Sequence, residues 1–188
     1  GGDDDLMGFV FGYQDRGRFY LFDWKGASQG HPTGVGLAPV GMTVKVVEFI
    51  EDVEPQDPPD PMVQMRNADI WPIDGSVNVR PLARPVPLSE TDDPGCVGDT
   101  LPFRCTLWHN DVPWQQNVEY RWTLEHRNGV FRIEVRDEDE ALLESWVIED
   151  DTYTNGRFGL YNFSQGGVTY EAFSQELIPP TCSAIAGE

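Results

Sequence analysis

The feature that most constrains the fold is an alternation of large aromatic and small residues near the start of the chain. From Phe9 to Tyr13, an aromatic residue occupies every second position, with Val and Gly between them. A second aromatic segment, residues 18–25, follows a turn at 15–17. Alternation with a period of two is typical of a strand with one buried face. The sequence therefore predicts a β-hairpin over residues 9–24 with one face buried.

Three adjacent carboxylates, Asp3, Asp4 and Asp5, lead directly into this hairpin. Clustered carboxylates collect hard divalent cations, which take oxygen ligands. If the strand has already begun at the triplet, alternate side chains face opposite sides. Asp3 and Asp5 could then share one ion, while Asp4 serves another or faces solvent. The alternative is a solvated acidic segment that binds no ion.

Strand patterns continue through the rest of the chain. The clearest is a second hairpin at 118–135, whose arms are joined by Asn128-Gly129, the preferred pair for a tight two-residue turn. No segment of ten or more residues carries an apolar stripe at helical spacing. The sequence therefore predicts an all-β protein of two antiparallel sheets packed face to face. Further strands are predicted at 42–50, 106–110, 142–148, 156–163 and 168–177.

Residues 51–105 interrupt this pattern. The segment begins with an acidic, Pro-rich stretch at 51–61, which cannot donate regular ladder hydrogen bonds, and a hairpin is predicted at 62–79. We interpret 51–105 as a loop-rich insertion. With 188 residues, 39% of them hydrophobic, the chain is long enough for one domain with a sizeable core.

The charge of the chain limits its partners. A formal net charge of −19 repels nucleic acid and anionic membrane surfaces, and no apolar run approaches the length of a membrane span. The sequence therefore excludes nucleic acid and membrane insertion as expected partners.

Three cysteines raise the question of disulfides. Cys96 and Cys105 bracket a short Gly-containing loop, so they can close a local disulfide in an oxidising compartment. Cys182 is left over, either as a free thiol or as the partner of a cysteine outside this chain.

Binding is favoured over catalysis by the residue types present. Trp71, Trp114 and Tyr161 lie in or beside loops or a Gly-rich strand and are candidates for ligand binding, with core packing as the alternative for each. A glycoside hydrolase needs two carboxylates at a fixed separation on a concave face. Glu134 comes closest, with Asp137 and Glu138 near it, but the first lies on the polar face of a hairpin arm and the others lie in a turn. We therefore expect no catalytic residues, and we expect His109 and His126 to serve packing.

Several collinear motifs carry a family resemblance, and together they cover most of the chain outside 51–105. The motifs are Asp-Asp-Asp-x-x-Gly-Phe-Val-Phe-Gly-Tyr-Gln at 3–14, Arg-Phe-Tyr at 18–20, Trp-Lys at 24–25, Gly-x-x-Val-Lys-Val-Val at 41–47, Thr-Leu-Trp-His at 106–109, Tyr-Arg-Trp-x-Leu-x-His-Arg at 120–127 and Gly-Arg-Phe-Gly-Leu-x-x-Phe-Ser-Gln at 156–165. Together they resemble the C-terminal domain of thrombospondins. The resemblance implies an L-type-lectin-like jelly-roll sandwich of the concanavalin A kind. It implies an extracellular or cell-surface, calcium-binding and non-catalytic module for adhesion or ligand binding, with Ca²⁺ at Asp3, Asp4 and Asp5.

The chain departs from that family in three respects. In the family, strands precede the Asp-Asp-Asp loop, and one of them carries a cysteine that pairs with a cysteine near the C-terminus. Here the sequence starts at that loop, and Cys182 falls where the C-terminal partner would be. The insertion at 51–105 is longer than its counterpart and carries its own cysteine pair. The acidity prompts the interpretation of a bacterial surface or adhesin relative. We expect residues 1–188 to form one such domain, in which either the first strands lie upstream of this chain or residues such as 62–79 complete the sandwich. Its expected partners are an extracellular protein or carbohydrate and other domains of the same parent, with a structural scaffold role as the alternative.

Overall fold

The structure is a computed structural model that describes residues 5–15, 18–30, 37–48, 96–97, 103–163 and 165–177. Within these ranges the chain forms β-strands and no helix. The strands are β1 (Leu6–Asp15), β2 (Arg18–Lys25), β3 (Gln29–Gly30), β4 (Leu37–Ala38), β5 (Gly41–Glu48), β6 (Cys96–Val97), β7 (Phe103–His109), β8 (Arg121–Arg127), β9 (Val130–Arg136), β10 (Leu142–Glu149) and β11 (Arg157–Phe163).

Two antiparallel sheets form the sandwich. The larger has the order β11-β1-β2-β5-β7-β6, and the smaller has the order β10-β9-β8. The short strands β3 and β4 pair only with each other and form a separate two-stranded ribbon. This arrangement confirms the predicted all-β architecture of two antiparallel sheets. β5 and β7 are paired neighbours, with Glu48 at the end of β5 opposite Phe103 at the start of β7. The two ends of the segment that connects these strands therefore lie side by side. The hairpin predicted at 62–79 lies outside the described residues.

The turn predicted at Asn128-Gly129 is present in the structure. Arg127 pairs with Val130 across Asn128-Gly129, whose φ angles are 49° and 77°. Two positive φ values define the tight turn that the Asn-Gly pair favours, so this prediction is confirmed.

The strand predicted at 168–177 is wrong: the segment joins no sheet, and Ala172 has a φ of 54°, which breaks an extended run.

The core between the two sheets is rich in aromatic rings. Phe9 stacks on Phe22 with ring centroids 4.7 Å apart, and Trp122 of the smaller sheet lies 5.5 Å from Phe9. Trp108 of β7 and Trp146 of β10 stack with centroids 3.9 Å apart. These contacts, within the larger sheet and between the two sheets, come from aromatic positions on the predicted strands.

The hairpin of β1 and β2 is buried on both faces, whereas the sequence predicted one. The second face, which points away from the smaller sheet and is called the outer face below, also packs tightly: Leu21 is fully buried. Part of the cover comes from β4, because Ala38 packs with Leu6. The outer face differs from the core in carrying charge, since Asp23, Lys25 and Lys45 are buried there.

Candidate functional site

The described part of the acidic triplet is Asp5, which directly precedes β1. Asp3 and Asp4 lie outside the described residues. The Asp5 side chain is mostly buried, and its Oδ1 lies 3.3 Å from Nζ of Lys25. The two residues meet because β1 and β2 pair with Leu6 opposite Lys25, which sets Asp5 one position before that pair.

Lys25 is an unusual residue for the place it occupies. Its side chain is 0% exposed, and its Nζ also donates a hydrogen bond of 2.8 Å to Oε1 of Gln29 in β3. A buried ammonium is costly unless it is paired and hydrogen-bonded. The Asp5 carboxylate and the Gln29 amide oxygen therefore stabilise the buried ammonium of Lys25.

Trp114 contacts the backbone of Asp5. Its Nε1 donates to the carbonyl oxygen of Asp5 at 3.3 Å, and its ring is buried. The ring packs on Gly26, where any Cβ would come within 3.0 Å of it. The core-packing alternative thus describes where Trp114 lies, since its ring offers no open face to a ligand.

Tyr161 is the other candidate aromatic residue that the structure describes. It belongs to β11 opposite Gly8, and Gly8 in turn pairs with Asp23 of β2, so the three share one row across the outer face. The Tyr161 hydroxyl is buried and has no hydrogen-bond partner among the described residues. Burial raises the pKa of this hydroxyl well above its ordinary value, and the charges of Asp23 and Asp5 raise it further.

The structure therefore brings two of the three predicted ligand-binding aromatics to the end of the acidic triplet. Trp114 donates a hydrogen bond to Asp5, and Tyr161 packs against the cluster of Leu6 and Ala38, in which Leu6 directly follows Asp5. Trp71 lies outside the described residues. The proximity could not be derived from spacing, because Trp114 is 109 residues from Asp5 in the sequence.

A second buried ion pair lies on the same face, and the sequence analysis missed it. Nζ of Lys45 contacts Oδ2 of Asp23, and both side chains are 3% exposed. Next to it, Thr43 and Nδ1 of His109 are hydrogen-bonded at 3.0 Å. The signal was available in the sequence, because Asp23, Lys25 and Lys45 all occupy positions that alternate with core residues on their strands.

The described residues alone do not make a complete metal site. Among the ranges that the structure describes, no group of three or more His, Cys, Asp or Glu side chains is placed to hold a metal ion. The triplet has the oxygen donors that a hard cation takes. One oxygen of Asp5, however, already contacts Lys25.

Comparison with known proteins identifies the family. The sequence profile of the thrombospondin C-terminal region matches residues 98–177. Thrombospondin-2 of Homo sapiens is 31% identical over 188 residues, with 93% of this chain and 13% of that protein covered. The chain belongs to the thrombospondin C-terminal family. Thrombospondin-1 of Xenopus laevis is 32% identical, with 93% of this chain and 13% of that protein covered. Cartilage oligomeric matrix protein of Bos taurus is 31% identical, with coverages of 89% and 19%.

Family membership confirms the resemblance and the extracellular location that it implied. The chain spans 13% of the length of the two thrombospondins and 19% of that of the cartilage protein. In the described ranges, no helix is long and apolar enough to cross a membrane. The bacterial origin remains a prediction.

The cysteine pair of this thrombospondin C-terminal chain lies in register. β6 and β7 pair with Cys96 directly opposite Cys105. Residues opposite each other in an antiparallel pair have Cα atoms about 4.5–5.5 Å apart, a separation that a disulfide can span. The disulfide itself stays a prediction, and Cys182 lies outside the described residues.

The residues weighed for catalysis have local contacts in the structure. Glu134 accepts a hydrogen bond from Arg136 at 3.3 Å, and Oδ1 of Asp137 accepts from the backbone N–H groups of Asp139 and Ala141. His126 packs edge-on against Phe11. These are the turn, surface and packing contacts that the sequence favoured for them.

Proposed function

We propose that the chain is an extracellular, calcium-binding adhesion or ligand-binding module without catalytic activity. The observation that supports this most directly is that the acidic triplet of a thrombospondin C-terminal chain ends on an immobilised residue. Asp5 is held through its carboxylate by Lys25 and through its carbonyl by Trp114. A cation site needs such a fixed end, because the ion gains little from ligands that must first be ordered.

In this proposal the side chains of Asp3 and Asp4 hold the ion. Calcium takes roughly six to eight oxygen ligands in flexible geometry, so backbone carbonyls complete the set. Bound calcium would supply charge neutralisation in a chain whose formal net charge is −19.

Calcium should therefore stabilise the fold. A ligand that binds only the folded form at about one hundred times its Kd adds about 2.7 kcal/mol. We expect the melting temperature, measured by circular dichroism, to fall when EDTA replaces excess calcium. Asp3→Asn and Asp4→Asn should reduce that difference. Asp139→Asn, at an exposed turn position, is the matched control and should retain it. An unchanged wild-type melting temperature in EDTA would refute calcium binding.

The partner of the module is proposed to be an extracellular protein or carbohydrate, or another domain of the same parent protein. Glycan-array binding with calcium present tests the carbohydrate version, and Trp71 and Tyr161 remain its candidate contacts. If no glycan binds, affinity capture with the calcium-loaded chain tests the protein version. If both experiments give no partner, the scaffold role becomes the better account.

A further inference from the structure

We propose that Asn155 is a site of spontaneous deamidation that the fold prepares, with the side-chain amide of Gln14 as the group that activates it. The sequence contains two Asn-Gly pairs, Asn128-Gly129 and Asn155-Gly156. Such a pair is prone to deamidation because glycine has no Cβ to block the approach of its backbone nitrogen to the asparagine side chain. The two pairs differ in how the fold holds them.

Gly156 is imposed by packing. Its φ is 147°, a conformation that favours glycine, and a Cβ there would lie 2.3 Å from the carbonyl carbon of Gly12 in β1. A larger residue does not fit between the loop and this strand. The fold therefore keeps a glycine after Asn155, and with it an unhindered backbone nitrogen.

Gln14 polarises the peptide bond that must react. Its Nε2 donates to the carbonyl oxygen of Asn155 at 2.5 Å and to that of Gly12 at 3.1 Å, so the donor is held between the two. When the nitrogen of Gly156 loses its proton, the negative charge is shared with the Asn155 oxygen. A hydrogen bond to a charged acceptor is about twice as strong as one to a neutral acceptor. Gln14 therefore stabilises the deprotonated peptide more than the neutral one.

The reaction needs no reagent besides water and hydroxide. The deprotonated nitrogen of Gly156 attacks Cγ of Asn155 and closes a five-membered succinimide, while the Cγ–Nδ2 bond breaks and the amide nitrogen takes a proton from water and leaves as ammonia. Water then opens the ring, at Cγ to give aspartate or at the main-chain carbonyl carbon to give isoaspartate. Both products carry a carboxylate where the amide stood. Asn155 and Arg157 are exposed, so the new charge lies at the surface two residues before a guanidinium.

Asn128-Gly129 has the same two residues in a different environment. It forms the tight turn between the paired strands β8 and β9, and the backbone N–H of Asp150 donates to the carbonyl of Gly129 at 2.7 Å. Asn155 lies instead in the loop between β10 and β11. Segments that are hydrogen-bonded on both sides open less often than loops. The fold should therefore protect Asn128 and leave Asn155 reactive.

The two sites can be compared within one wild-type sample. Deamidation is followed in mildly alkaline buffer by peptide mass spectrometry, with the aspartate and isoaspartate peptides separated by chromatography. We expect Asn155 to react at least about tenfold faster than Asn128 in the folded chain, and the two rates to agree within about twofold in urea. A ratio of rates in the folded chain no greater than the ratio in urea would overturn the proposal.

The role of Gln14 is tested by Gln14→Met, which removes the donor and keeps a long unbranched side chain. We expect the rate at Asn155 to fall by about threefold or more, because one hydrogen bond to the reacting peptide is lost, and the rate at Asn128 to stay unchanged. Gln175→Met is the matched control and should alter neither rate. Both glutamines are exposed, so neither substitution removes core packing. An unchanged or faster reaction at Asn155 in Gln14→Met would show that Gln14 does not activate the site.

Discussion

Asp23 and Lys45 show at the scale of single residues what buried charge costs. Their ion pair is almost completely shielded from water on the outer face. Removing one partner of a buried pair leaves the other charge uncompensated, which typically costs about 3–5 kcal/mol. We therefore expect Asp23→Ala to lower the free energy of unfolding by about that amount, measured by urea denaturation.

Two further variants test whether the loss comes from the buried charge that is left unpaired. Arg121 pairs with Glu140 at the surface, where their side chains are 62% and 55% exposed. Arg121→Ala should cost at most about 1 kcal/mol, because water screens exposed pairs. Replacing both buried partners, Asp23→Leu with Lys45→Met, should cost much less than Asp23→Ala alone. If Asp23→Ala costs no more than Arg121→Ala, the buried pair does not stabilise the fold.

At the scale of elements, local patterns could be predicted from the sequence and long-range cover could not. The hairpin around Asn128-Gly129 follows from neighbouring residues alone. The burial of Leu6 on the outer face does not, because it packs with Ala38 of β4, which lies beyond β2 and a connecting loop. The segment at 168–177 has strand composition but pairs with no strand of the described sheets.

Gly41 marks a place where an element tolerates no side chain. It begins β5 with a φ of 108°, and a Cβ there would lie 1.9 Å from the carbonyl oxygen of Asn110, which follows β7. Gly167 has a φ of 74° with nothing near its Cβ position. Gly167→Ala should cost about 1–2 kcal/mol from backbone conformation alone. Gly41→Ala should cost clearly more in urea unfolding, because the backbone must also move. Equal losses would contradict this steric account.

At the scale of the whole molecule, the acidic triplet could be found in the sequence but its surroundings could not. Strand register brings Lys25 to Asp5, and the fold of the segment after β7 brings Trp114 there. Neither contact has a local signature, because both join residues that are far apart in the chain. The charged residues of β2 and β5 alternate with core residues, and this alternation was the one available hint that the outer face carries paired charges.

Stability should decrease in mild acid because of the two described histidines in the sandwich. Burial lowers the pKa of His126 and of His109, and Nε2 of His126 has no hydrogen-bond partner among the described residues. The unfolded chain takes up protons near pH 6.5 while the folded chain resists them, so stability is present above about 6.5 and lost below it. His126→Phe should flatten the fall in melting temperature between about pH 6.5 and 5. An equally steep fall would assign the loss to other groups.

Buried tyrosines should set the opposite limit. Burial and then the Asp150 carboxylate raise the pKa of Tyr20 far above its ordinary value, and its hydroxyl also donates to the Asp150 carbonyl at 3.0 Å. The unfolded chain releases this proton near pH 10 while the folded chain keeps it, so the stability is present below about pH 10 and lost above it. Each such group contributes a slope of about 1.4 kcal/mol per pH unit. Tyr20→Phe should be less stable than wild type at pH 8, by about 1–3 kcal/mol, because Asp150 loses a buried donor. Its stability should then fall less steeply above pH 10 than that of wild type, in urea titrations followed by fluorescence. Parallel slopes in the two proteins would show that Tyr20 ionises as readily in the folded state as in the unfolded one.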